Sequence, residues 1–140
     1  MPHSRSSDPH RGWIHTRFQG RIPAEEMVAS RKELERDPAM QPGVRILLEF
    51  EKGSLLDASP EGIRHLAESW QTAPDPSHGA WRLAIVAGEP HQFGLARMFA
   101  QARGAEDDRI RVFRNRLEAL AWSGILETAT LGGGCFWCLE

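Results

Sequence analysis

The feature that most constrains this 140-residue chain is a regular alternation of strand-like and helix-like runs. Leu83-Ala84-Ile85-Val86-Ala87 is an unbroken apolar run of strand length, the pattern of a strand covered on both faces. Val44 to Phe50 alternates instead, with Val44, Ile46, Leu48 and Phe50 on one side and Arg45 and Glu49 on the other, so it reads as a half-buried strand. Trp13 to Phe18 sets Ile14, Thr16 and Phe18 against Trp13, His15 and Arg17, and Ile110 to Phe113 makes a fourth short strand.

Each strand signal is followed by a helix signal. Pro23 sits at a first helical position, with Glu25 and Glu26 in the first turn, and that helix runs to about Arg36 with Met27, Ser30, Arg31 and Leu34 on one side. Ser59-Pro60-Glu61-Gly62 is a helix start with serine at the N-cap, leading to a stripe of Ile63, Leu66, Ala67 and Trp70. Gly88-Glu89-Pro90 opens a helix with Phe93, Ala96, Phe99 and Ala100 on one side. Asn115 to Trp122 forms the last helix, with Leu117, Leu120 and Ala121 expected inward. Parallel strands need crossover connections, and those connections pack on the sheet faces. The order therefore predicts an α/β fold with a four-strand, largely parallel or mixed sheet covered by helices.

The ends differ from this body. Residues 1–12 are rich in Ser, His, Pro and Arg without an apolar period, and read as a mobile tail. The helical pattern stops near Trp122, so 13–122 is expected to be the folded domain, 123–128 a linker and 129–140 a short glycine-rich C-terminal tail. A net charge of −2 supplies no field to draw in nucleic acid or anionic lipid, and no apolar run reaches the roughly 20 residues of a membrane span. With no apolar leader at the N-terminus, a cytoplasmic location is expected.

Chemistry-bearing residues are few. The histidines (His3, His10, His15, His65, His78 and His91) have no metal-ligand spacing, so no metal and no bound cofactor is expected. Arg109, Arg111, Arg114 and Arg116 form a basic run that reads as the solvated face of a strand. The two cysteines, Cys135 and Cys138, are three apart, which leaves open a redox pair, half of a metal site, or one reactive thiol with a bystander. Gly132-Gly133-Gly134 permits a tight turn and close substrate approach just before Cys135. A helix beginning there would put the thiol at the positive end of its dipole and favour the thiolate.

The block Thr130-Leu131-Gly132-Gly133-Gly134-Cys135-Phe136-Trp137-Cys138-Leu139-Glu140 resembles the opening of an A-type methionine sulfoxide reductase, that is, a peptide-methionine (S)-S-oxide reductase. The resemblance implies that Cys135 is the nucleophile that attacks the sulfoxide sulfur and becomes a sulfenic acid. It also implies that Phe136 and Trp137 form the apolar wall for the substrate methyl group, and that oxidised methionine and thioredoxin, or another thiol reductant, are the partners. The chain is expected to be the leading fragment of a fused reductase. In the family the oxygen-binding donors and the proton donor lie beyond this motif, so residues 1–140 alone are expected to be inactive.

Residues 13–122 resemble the SpoIIAA-like domains of the STAS and SEC14 type. The likeness rests on the four strand–helix units, the Leu83-to-Ala87 strand, Ala96-Arg97-Met98-Phe99, and Arg111-Val112-Phe113 with Glu118-Ala119-Leu120-Ala121-Trp122. It implies a non-enzymatic module that binds a protein or a small ligand. In that family a serine leading into the helix that corresponds to the one opened by Ser59-Pro60-Glu61-Gly62 accepts a phosphate, which implies the same role for Ser59, beside its role as a helix cap.

Overall fold

The computed structural model describes residues 3–70, 81–102 and 109–124. Its strands are β1 (His3–Asp8), β2 (Trp13–Phe18), β3 (Arg21–Pro23), β4 (Arg45–Phe50), β5 (Leu55–Asp57), β6 (Arg82–Ala87) and β7 (Ile110–Phe113). Its helices are α1 (Ala24–Leu34), α2 (Pro60–Ser69), α3 (Pro90–Ala102) and α4 (Arg116–Ser123). Among the described residues, five strands form one sheet in the order β1-β2-β4-β6-β7, and β3 pairs with β5 in a small second sheet. The alternation of strands and helices thus gives a mixed α/β architecture with a mostly parallel sheet. The β2–β4, β4–β6 and β6–β7 pairs are parallel, and β1 alone runs antiparallel, on β2.

Successive parallel strands are added in one direction across the sheet, and crossovers of one hand then put their helices on one face. The packing agrees. Met27 and Leu34 of α1, Ile63 and Leu66 of α2, and Ala96 and Phe99 of α3 share a core with Ile14, Phe18, Ile46, Leu48, Leu83 and Ile85. Helix α4 follows β7 and covers the opposite face, where Ala119 and Leu120 pack with Trp13, Leu47, Ala84 and Val86. The buried positions of α1 are Met27, Ser30, Arg31 and Leu34, the side that the sequence marks. Arg31 is tolerated there because Glu35 Oε1 accepts from its guanidinium at 2.7 Å and the same group lies over the Trp70 ring.

Three expectations are corrected. Residues 3–8 are not a tail: they form β1, paired along its length with β2 from His3↔Phe18 to Asp8↔Trp13. Strand β4 is buried on both faces, since Leu47 lies beneath α4 and Glu49 is nearly enclosed. In α4 the inward residues are Ala119, Leu120 and Ser123, whereas Leu117 is 67% exposed and Ala121 also faces out. The helix begins at Arg116, capped by Asn115, whose Oδ1 accepts from the Glu118 amide at 2.9 Å. With Ala119 and Leu120 packed on the sheet and Ser123 buried, Leu117 falls on the water side. Gly124 ends the helix at φ 87°, a left-handed C-cap that side-chain-bearing residues rarely adopt.

Candidate functional site

The small β3–β5 sheet builds the first candidate site. Strand β3 runs directly into α1, and β5 leads through Ala58 and Ser59 into α2, so pairing Arg21↔Leu55 to Pro23↔Asp57 brings the heads of both helices together. Asp57 Oδ2 accepts from Arg21 Nε at 2.8 Å across that pair. A Cβ on Gly62 would lie 3.3 Å from Ala24 Cβ, so glycine permits the close approach of α2 to α1. Below this contact the helices leave a groove of about 420 Å³. Ala24, Val28, Ala29 and Gly62 supply its apolar part, and Glu25, Lys32 and His65 its polar part.

Ser59 adjoins Gly62, one of the residues that line this groove. Its Oγ accepts from the Gly62 amide at 3.1 Å, its backbone is extended, Pro60 follows, and the residue is exposed. The expected N-cap is therefore present. The same position offers a hydroxyl to solvent at the positive end of a ten-residue helix.

The second candidate site was hidden in the sequence. On the α4 face of the sheet, His15 of β2, Glu49 of β4 and Arg116 of α4 meet. His15 Nε2 lies 3.0 Å from Glu49 Oε1, and Arg116 donates from Nε and Nη2 to Glu49 Oε2, each at 3.0 Å. The His15 side chain is 1% exposed and that of Glu49 11%. An ionised carboxylate only accepts, so His15 donates from Nε2. Burial, opposed by the hydrogen bond and charge of Glu49 and helped by Arg116 and Arg17, holds the imidazole below its ordinary pKa. Burial pushes the Glu49 carboxyl up, but hydrogen bonds from His15 and Arg116, with their charges, outweigh it and leave the group more acidic than usual. Arg116, read from the sequence as part of a solvated basic run, is thus the counter-ion of a buried acid. Sequence separations of 34 and 67 residues concealed the cluster, and no local signal marks it.

A third cluster joins β1 to α1. His3 Nδ1 lies 2.5 Å from Glu26 Oε1 and its Nε2 3.0 Å from Glu33 Oε2, while Arg5 reaches Glu33 and Asp37. The sequence reading found acidic partners for neither His3 nor His15. Among the described residues no group of three or more His, Cys, Asp or Glu could hold a metal ion. An apolar cavity of about 20 Å³ lies between the sheet and α1 to α3, among Met27, Leu48, Phe50, Leu66, Phe99 and their neighbours. That is room for about one water molecule, in a lining with almost nothing to bond it.

Cys135, Phe136 and Trp137 lie outside the described residues. No helix among the described residues is long and apolar enough to cross a membrane. Comparison of the chain with protein-family models, with curated proteins and with solved structures returns no match.

Proposed function

We propose that residues 3–124 act as a non-catalytic, SpoIIAA-like binding module of the cytoplasm whose recognition surface is the α1–α2 groove and the head of α2. The observation that carries this reading is the exposed Ser59, whose hydroxyl accepts from the amide of Gly62 in the lining of the groove. An open groove between two helices suits a protein segment better than a small metabolite, and the water-sized core cavity offers no chamber for an acyl chain. A phosphate on Ser59 would set negative charge at the positive end of α2 and change the charge beside the groove.

The test is site-specific photocrosslinking in the source cells, with the photoreactive residue at Ala29 in the groove or at Leu117 on α4. A discrete adduct from position 29, absent from position 117, is the expected result. Equal labelling from both positions, or none from position 29, overturns the reading.

A second reading is carried by the sequence block 130–140: the chain is the leading segment of a peptide-methionine (S)-S-oxide reductase. Cys135 would then be the nucleophile, Phe136 and Trp137 the methyl-binding wall, and thioredoxin or another thiol the reductant. A thiolate alone does not place donors around the departing sulfoxide oxygen. Residues 1–140 assayed with dithiothreitol on a methionine S-sulfoxide are therefore expected to turn over no faster than a free thiol. Multiple turnovers abolished by Cys135→Ser would make this chain an enzyme by itself.

A further inference from the structure

We propose that β7 is a docking edge for an extended acidic segment of a partner protein, which adds to the sheet as a further strand between arginines on its two faces. This surface is separate from the α1–α2 groove and does not depend on it. Strand β7 ends the sheet, and no described strand pairs with its outer side. The Arg109 carbonyl accepts from the Leu83 amide at 2.7 Å, so the backbone of Arg109 faces β6. Successive residues of a strand turn their N–H and C=O to opposite sides. Ile110 and Val112 therefore offer theirs to the open edge.

Three exposed arginines flank that edge. Arg111 lies on the α4 face, in register with Ala84. On the other face Arg114 and Arg97 both lie against Phe93, with guanidinium carbons 4.3 and 5.9 Å from the ring centroid. A Cβ on Gly88 would sit 3.3 Å from the Arg114 carbonyl oxygen, so the chain leaving β7 is seated against the turn that opens α3. Elsewhere the fold pairs arginine with acid, as at Arg5, Arg17, Arg21 and Arg31. Among the described residues, Arg97, Arg111 and Arg114 have no carboxylate partner, and Glu89 just ahead of α3 accepts instead from the Gly53 amide at 2.9 Å. Two like charges held on one ring repel each other, and a carboxylate laid beside them relieves that repulsion.

Charge also selects the occupant. The chain as a whole carries −2, so the positive excess is local, and a nucleic acid would meet a molecule of its own sign. A second copy pairing through β7 would set Arg111 and Arg114 against their own counterparts, and like charges across a strand pair are destabilising. At the opposite end of the sheet the arginine of β1 is already matched, since Arg5 bonds Glu33 and Asp37. An extended acidic segment satisfies both features of β7. Its backbone completes the ladder at Ile110 and Val112, and its side chains, alternating between the faces, bring carboxylates to Arg111 on one and to Arg97 and Arg114 on the other.

The test combines fluorescence anisotropy with amide hydrogen exchange on the full 140-residue chain, using one blocked peptide of alternating valine and glutamate and one of alternating valine and lysine. The glutamate peptide should bind and, at saturation, slow exchange at Ile110 and Val112 by about tenfold, the scale of one added hydrogen bond. The lysine peptide should not bind. Arg97→Gln combined with Arg114→Gln should weaken binding by about fivefold, the scale of two exposed ion pairs, whereas Arg64→Gln on α2 should change it less than about twofold. Val112→Pro removes an N–H that faces outward and no bond to β6, so the fold should persist while peptide binding is lost. Binding of both peptides or of neither overturns the docking edge. So does an affinity indifferent to Arg97 and Arg114, undiminished binding by a folded Val112→Pro chain, or displacement of the peptide by an equal concentration of a short oligothymidylate.

Discussion

Replacing Glu49 by glutamine keeps the volume of the side chain but removes its charge and one of its two acceptors. In the folded chain, that carboxylate receives His15 on one oxygen and Arg116 twice on the other, all at 3.0 Å. The carboxamide oxygen can serve only one of them well. Arg116 is 25% exposed and can turn toward water, whereas His15 at 1% cannot. The amide oxygen should therefore stay on His15 and the arginine should lose its counter-ion, at a cost of about 2 kcal/mol for hydrogen bonds to a charged group. Glu49→Leu leaves the buried His15 N–H without an acceptor as well, and should cost about 4 kcal/mol.

Urea unfolding at pH 7, followed by tryptophan fluorescence, reads both values. The melting temperature should fall by about 4–8 °C for the glutamine variant in a domain of this size. The pH dependence has a definite sign. His15 and Glu49 both bind protons less readily when folded than when unfolded, so both stabilise the fold above their unfolded pKa values. Stability should fall in two steps on acidification, first below the ordinary histidine range as His15 resists protonation, then below the ordinary carboxylate range as Glu49 is protonated. His15→Gln should remove the first step. A loss below about 0.5 kcal/mol for Glu49→Gln, or an unchanged upper step in His15→Gln, would refute the account of this cluster.

Two further substitutions test the local assignments. Ser59→Ala removes the acceptor of the Gly62 amide and should cost about 1 kcal/mol in urea unfolding, with Ser59→Asp restoring most of it; equal losses in both variants would rule out a cap. On α4, Leu120→Ala should cost about 3 kcal/mol because Leu120 is 1% exposed in the lesser core, while Leu117→Ala should stay within about 0.5 kcal/mol. A reversed order would mean that the helix is rotated from the orientation seen.

Much of the architecture was legible because it is encoded over short windows. The apolar run of β6, the stripe Ile63, Leu66, Ala67 and Trp70, and the serine cap of α2 each depend on neighbours a few residues away. Strand β1 was not legible for the opposite reason. Its sequence, HSRSSD, has no buried apolar period, and what holds it is a backbone ladder with β2 and carboxylates from α1. The short pair β3 and β5 was equally silent, since three residues carry no periodicity, and its parallel pairing is what sets Ser59 beside α1.

By itself, then, the sequence determined the order and kind of the main elements, the covered sheet and the capped start of α2, since side-chain period and turn chemistry act along the chain. Tertiary structure alone decided that α4 covers the second face, that Leu117 points outward, that His15, Glu49 and Arg116 share one charge, and that His3 lies between two acids. Those outcomes depend on contacts between elements tens of residues apart, where desolvation and pairing are settled by packing and leave no local mark.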